Sequence, residues 1–86
     1  MALKEKFKMA QDRVQKLEKR PANEQLLELY ALYKQATVGD ASGDRPGLFD
    51  VKGRAKFDAW TKRKGLSKDE AMKKYVALVD MLAKAG

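Results

Sequence analysis

An all-α domain of four helices is predicted by three features of the chain. Apolar residues recur at steps of three and four through most of it, and no alternating strand pattern runs longer than a few residues. The composition, 44% hydrophobic and 36% charged with two prolines and six glycines, suits a globular helical domain. Its 86 residues leave room for one domain, 1–86, and no second core. So small a domain buries only about 60 to 65% of its unfolded surface, which implies a modest stability margin that a ligand can raise.

From Ala2 to about Lys19, Leu3, Phe7, Ala10, Val14 and Leu17 form one apolar face of a first helix. Pro21 interrupts it. Asn23 offers an N-cap for a second helix carrying Leu26, Leu27, Leu29, Tyr30, Leu32, Tyr33, Ala36 and Val38, apolar on more than one side. Gly39 is placed to stop that helix. Asp40 to Asp50, with Ser42-Gly43 and Arg45-Pro46-Gly47, has no helical period and reads as a loop, long for so small a bundle. A third helix is expected over Val51–Lys64, with Asp50 as N-cap and Gly65 as its stop. The fourth begins most clearly: Ser67 and Glu70 make a capping box, after which Met72, Tyr75, Val79 and Leu82 share a face. Periodicity leaves the topology open, since the long loop permits a crossover between helices running the same way.

The chain has no cysteine and no histidine. Disulfides, thiolate metal sites, nucleophilic thiols, Ser-His-Asp triads and ordinary zinc sites are thereby excluded. Asp58 and Glu70 have ordinary surface and capping roles, so acid–base catalysis finds no support and a non-enzyme is expected. The opening Met-Ala-Leu-Lys-Glu-Lys-Phe lacks the apolar core of a secretory signal, and no apolar run approaches a membrane span, so a cytoplasmic protein is expected. Nineteen Lys and Arg against twelve Asp and Glu give +7, a field that attracts nucleic acid, anionic lipid or phosphorylated small molecules alike. Acidic residues scattered through every helix break any long basic stripe, which speaks against nucleic acid. The apolar faces are needed for a core, so membrane contact is expected to be transient at most.

Two clusters can carry function. Tyr30, Tyr33 and Lys34 share a helical face, where a ring can stack on a nucleobase and the ammonium pair with phosphate. Spacing alone favours half-buried core tyrosines with Lys34 reaching water. Lys52 and Lys56 stand one turn apart at the start of the third helix, where free amides already favour anions, although most helical lysine pairs are only solvated faces. Tyr75 is a lone aromatic on an apolar face, core or pocket wall. Trp60 is assigned to the core.

The string from Tyr30 to Asp40 (Tyr-Ala-Leu-Tyr-Lys-Gln-Ala-Thr-Val-Gly-Asp), Arg45-Pro46-Gly47, and Asp50 to Trp60 (Asp-Val-Lys-Gly-Arg-Ala-Lys-Phe-Asp-Ala-Trp) together closely resemble the acyl-CoA-binding protein family. The likeness extends through Phe7, Ala10, Val14, Leu17 and Pro21 on one side and Lys64-Gly65, Ser67, Ala71, Met72 and Tyr75 on the other. It implies an up-down-down-up four-helix bundle with the 40–50 loop as crossover. It also implies a monomeric carrier and pool former for long-chain acyl-CoA, with that ligand in place of any cofactor and acyl-CoA-using enzymes as transient partners. By position, the resemblance places ligand contacts on Gln15, Tyr30, Ala31, Leu32, Tyr33, Lys34, Lys52, Lys56 and Tyr75, with the 3′-phosphate chiefly on Tyr30, Lys34 and Lys56. The chain departs from the family's pattern at Gln15, often lysine, and at Phe57, often tryptophan; Arg13 or Lys16 can substitute only in part for the missing charge, since their directions differ. Coenzyme A asks for cations and an aromatic surface, and its acyl chain for an apolar surface groove. Met9, Leu26 and Leu27 are candidates for that groove.

Overall fold

The computed structural model describes residues 2–85; Met1 and Gly86, the ends of the expected domain, lie outside the described residues. Four helices follow in order: α1 (Leu3–Gln15), α2 (Asn23–Thr37), α3 (Val51–Thr61) and α4 (Lys68–Ala85). α4 packs against both α1 and α2, whereas α3 packs against α2 alone.

Residue pairs across the helices give their directions. Phe7 and Arg13 of α1 meet Tyr75 and Asp80 of α4, so residue numbers rise together and the two run parallel. Tyr30 and Lys34 of α2 meet Lys56 and Trp60 of α3, a second parallel pair. By contrast, Gly39 just beyond α2 approaches Lys68 at the start of α4, while Tyr33 lines the same hollow as Tyr75, so these two helices are antiparallel. The bundle is up-down-down-up, and the 40–50 loop is its crossover.

Helix ends depart from expectation where backbone bonding overrides side-chain pattern. α1 stops at Gln15 rather than near Lys19, because the Lys16 amide turns back to the Arg13 carbonyl at 3.0 Å. A longer helix would leave too little chain to reverse direction ahead of Pro21, which also forces Arg20 out of helical geometry. Asn23 is the first helical residue, not the cap. Ala22 holds that position, and its N–H donates to the Gln25 side chain at 2.9 Å, half of a capping box. α3 ends at Thr61, three residues early, as Arg63, Lys64 and Leu66 donate to carbonyls three residues back and wind the exit more tightly than an α-helix. The other caps are as expected. Asp50 accepts from the Gly53 amide at 2.9 Å, and Ser67 and Glu70 bond reciprocally. Gly39 and Gly65 take φ near +100°, a conformation that favours glycine.

Phe7, Ala10, Leu29, Leu32, Ala36, Ala71, Met72, Tyr75 and Val79 form the buried core. All belong to α1, α2 and α4; α3 contributes no buried residue. Polar ties hold α3 in place instead: Arg45 to Asp58 through two bonds, Arg63 to Glu28, and the Trp60 indole N–H donating to the Gly39 carbonyl at 2.8 Å. Trp60 is thus half-buried at the α2–α3 seam, not a core residue. Gln35 is the one polar side chain in the buried interior among the described residues. Its amide donates to Asp40 at 2.7 Å and to the Leu66 carbonyl at 2.9 Å, and the same Asp40 oxygen accepts from the Gly65 amide. The exit of α2 is thereby tied to the α3–α4 turn.

Candidate functional site

The middle of α2 presents alternating faces. Ala31 and Leu32, which the resemblance also places among the ligand contacts, are buried at 0% and 1% exposure. Tyr30, Tyr33 and Lys34, on the other faces, reach the rim. Tyr33 stacks on Phe7 with centroids 6.1 Å apart, and Phe7 meets Tyr75 edge-on at 5.1 Å. One buried phenylalanine of α1 therefore sets the positions of phenols from α2 and α4. Burial raises the Tyr75 hydroxyl above the ordinary tyrosine range, with a further contribution from Tyr33. It stays neutral at physiological pH, a hydrogen-bonding group rather than a charge.

Beside these rings lies a hollow of about 340 Å³ lined by Val14, Gln15, Pro21, Leu26, Leu29, Tyr30, Tyr33 and Tyr75. It is small for a ligand pocket, so anything as large as a nucleotide with a tail must extend past it. Gln15 belongs to this wall. Arg13 and Lys16 border a different hollow, between α1 and α4, and Arg13 pairs there with Asp80 at 2.7 Å.

Tyr30 connects the hollow to α3. The Lys56 ammonium lies 5.4 Å from its ring centroid, and one turn along, the Lys34 ammonium lies 5.0 Å from the centre of Trp60. Such contacts at exposed sites contribute about 0.5–1 kcal/mol each, whereas a hydrogen bond to a charged group is worth about 1.5–3 kcal/mol. Both ammonium groups thus lie against aromatic rings at the seam between α2 and α3. Among the described residues, none of Lys34, Lys52 and Lys56 has a carboxylate partner. Lys52 is exposed on the first turn of α3, one turn from Lys56. Arg54 is half-buried and adds its charge to the surroundings of Asp58 instead. Tyr30, Lys34 and Lys56 thus occupy one side of the molecule, with Gln15, Tyr33 and Tyr75 around the adjoining hollow.

The three residues expected to share an apolar groove separate. Leu26 lines the tyrosine hollow, Leu27 a cleft of about 420 Å³ between α2 and α3, and Met9 the α1–α4 hollow of about 640 Å³. That last cavity is larger than the tyrosine hollow, yet no member of the phenol–lysine cluster lines it. Sequence reasoning missed the pairing of Lys34 with Trp60, which pattern assigned to the core, and Pro21 as a wall, where it had registered as a helix breaker and as part of the family likeness. Their spacing from Tyr30 held no signal for either.

A model of the family described as Acyl CoA binding protein matches residues 4–79. Acyl-CoA-binding protein homolog 1 of Caenorhabditis elegans is 57% identical over 74 residues, covering 85% of this chain and 86% of its own. An acyl-CoA-binding protein homolog of Manduca sexta is 54% identical over 83 residues, 95% of this chain and 92% of its own. Among solved structures, the crystal structure of Oryza sativa Acyl-CoA-Binding Protein 2 matches with a TM-score of 0.93 at 43% identity, covering 98% of this chain and 93% of that one.

Proposed function

The chain belongs to the acyl-CoA-binding protein family, and on that premise we propose that it holds acyl-CoA at the α2–α3 seam through Tyr30, Lys34 and Lys56. It binds acyl-CoA esters as a carrier and is not an enzyme. The observation that carries the site assignment is the convergence of two ammonium groups without carboxylate partners and two aromatic rings on that seam, beside an apolar hollow. Phosphates of the CoA moiety pair with Lys34, Lys52 and Lys56, and the adenine lies against the Tyr30 ring. Gln15, Tyr33 and Tyr75 border the tyrosine hollow and contact the ligand as neutral polar groups.

The acyl chain lies in an apolar surface groove next to this seam. Burying a methylene gains about 0.8 kcal/mol, so a palmitoyl chain offers on the order of 12 kcal/mol before ordering costs, and long chains are preferred to short ones. None of the hollows is large enough to engulf head group and chain together, so the ligand is partly exposed, a geometry suited to handing it on to acyl-CoA-using enzymes. No helix of the described residues is long and apolar enough to cross a membrane. A cytoplasmic monomer shuttling between such enzymes fits the exposed, charge-rich surface. Calorimetry tests the head-group assignment: palmitoyl-CoA is expected to bind at submicromolar concentration and free palmitate far more weakly. Equal affinity for the two would falsify it.

A further inference from the structure

The parallel α1–α4 pair carries a groove that the proposed ligand site does not use. Along α1, Lys6, Met9, Arg13 and, just past its end, Lys16 recur at steps of three and four, a second stripe beside the core-facing one. Lys73, Val76 and Asp80 repeat that spacing on α4. The two stripes line adjoining hollows of about 640 and 340 Å³ that share Lys6, Val76 and Asp80, so the hollows form one groove. Its lining comes from α1, Lys16 and α4 alone and has no residue in common with the tyrosine hollow. Ala10 and half-buried Val76 make an apolar floor, and Met9 lies beside them 55% exposed. Arg13 and Asp80 close an ion pair across the groove. Of the other charged groups in the lining, exposed Lys6, Lys16 and Lys73 stand against Asp12, and none of these has an ion-pair partner among the described residues.

From this we infer that the α1–α4 groove docks an acidic amphipathic helix of a partner protein, whose apolar face meets Met9 and Val76 and whose carboxylates pair with Lys6, Lys16 and Lys73. Shape, charge and length select this occupant. A channel between two parallel helices is what a third helix fills, and the thioether of Met9 adapts to varied apolar side chains. Lys6 and Lys16 lie about 15 Å apart along the α1 axis, so carboxylates three turns apart on one helical face reach both. Other occupants fit less well. A flat lipid surface cannot follow a channel to its floor, and a nucleic-acid backbone would leave that floor uncovered while meeting the Asp12 carboxylate. Two copies of this face in a two-fold dimer would set one concave surface against another. An extended peptide finds no sheet edge to pair with. Docking here leaves the α2–α3 seam open, so a partner can hold the protein without blocking its ligand.

The probe is a designed, end-capped helical peptide of about 18 residues, built from alanine, leucine and glutamate with one leucine face flanked by glutamates, together with a version carrying glutamine for every glutamate. Fluorescence anisotropy measures its binding to wild type and to the double variant Lys6→Glu, Lys73→Glu. Both lysines are exposed and outside the core, so the variant is expected to keep the wild-type circular dichroism and melting temperature. Wild type should bind the acidic peptide with micromolar affinity that weakens as salt rises, and the variant should bind about tenfold more weakly. The glutamine peptide, which requires no change in the protein, should lose as much. Amide shifts on titration should fall on α1 and α4, and saturating palmitoyl-CoA should leave the peptide bound. No binding of the acidic peptide to wild type up to millimolar concentration overturns the inference, as does equal binding by the variant or by the glutamine peptide. Displacement of the peptide by palmitoyl-CoA, or shifts confined to α2 and α3, would place it on the ligand site instead. Sedimentation showing a wild-type dimer that the variant abolishes would make the groove a self-interface.

Discussion

Tyr30 stands where the apolar hollow gives way to the cationic seam, lining the hollow with Leu26 and Tyr75 and lying with its ring under Lys56. Replacing Lys56 with alanine removes one charge-assisted contact to phosphate, and palmitoyl-CoA affinity should fall by about 1.5–3 kcal/mol, or roughly ten- to a hundredfold, with a shallower salt dependence. Calorimetry at two ionic strengths measures both; unchanged values would make Lys56 a solvated surface group. Asp40 supports a different expectation. The Gly65 amide and then the Gln35 side chain hold its carboxyl below the ordinary range. A depressed folded-state pKa means stability that is present above the unfolded value near 3.8 and lost as pH falls through the folded one. Asp40→Ala should therefore melt below wild type at neutral pH, and the gap should close in acid. A gap of constant size from pH 7 to strongly acidic solution would detach Asp40 from that linkage. Spacing and composition made the lysines and tyrosines visible as candidates. What spacing could not give was which ring each ammonium faces, because that depends on how α2 and α3 cross.

At the level of elements, α3 is the outlier. It brings Lys52 and Lys56 to the site while burying none of its own residues, and what anchors it are hydrogen bonds and ion pairs at partly exposed positions. Such pairs contribute about 0–1 kcal/mol each, against roughly 1.5–3 kcal/mol for one fully buried core side chain. The α3 amides are thus expected to exchange with deuterium well ahead of those in the middle of α2 and α4, and saturating acyl-CoA should slow them selectively. If α3 and α4 exchanged together with and without ligand, the polar ties would have to be as strong as the core. Legibility followed the same division. The Asp50 and Ser67 caps were visible because the capping side chain and its amide lie three residues apart. The ends of α1 and α3 were not, since turns of type i to i−3 at Lys16 and Arg63 leave no mark in the apolar pattern.

Across the whole molecule, all four helices contribute to the proposed site or to the packing behind it. Phe7 comes from the first helix, the phenol and ammonium groups from the second, further cations from the third, and Tyr75 from the fourth. Periodicity revealed four helices but not their order in space, which the family resemblance supplied and the cross-helix pairs bear out. The parallel run of α1 and α4 sets where the chain's ends emerge. With Phe7 level with Tyr75, the ten residues of α4 beyond Tyr75 carry its far end on the order of 15 Å past that level, while α1 begins on the opposite side of it. Fluorophores fused at the two ends would therefore be held apart across the bundle. A circularly permuted version would need a bridging linker that runs the length of the α1–α4 face, not a tight turn.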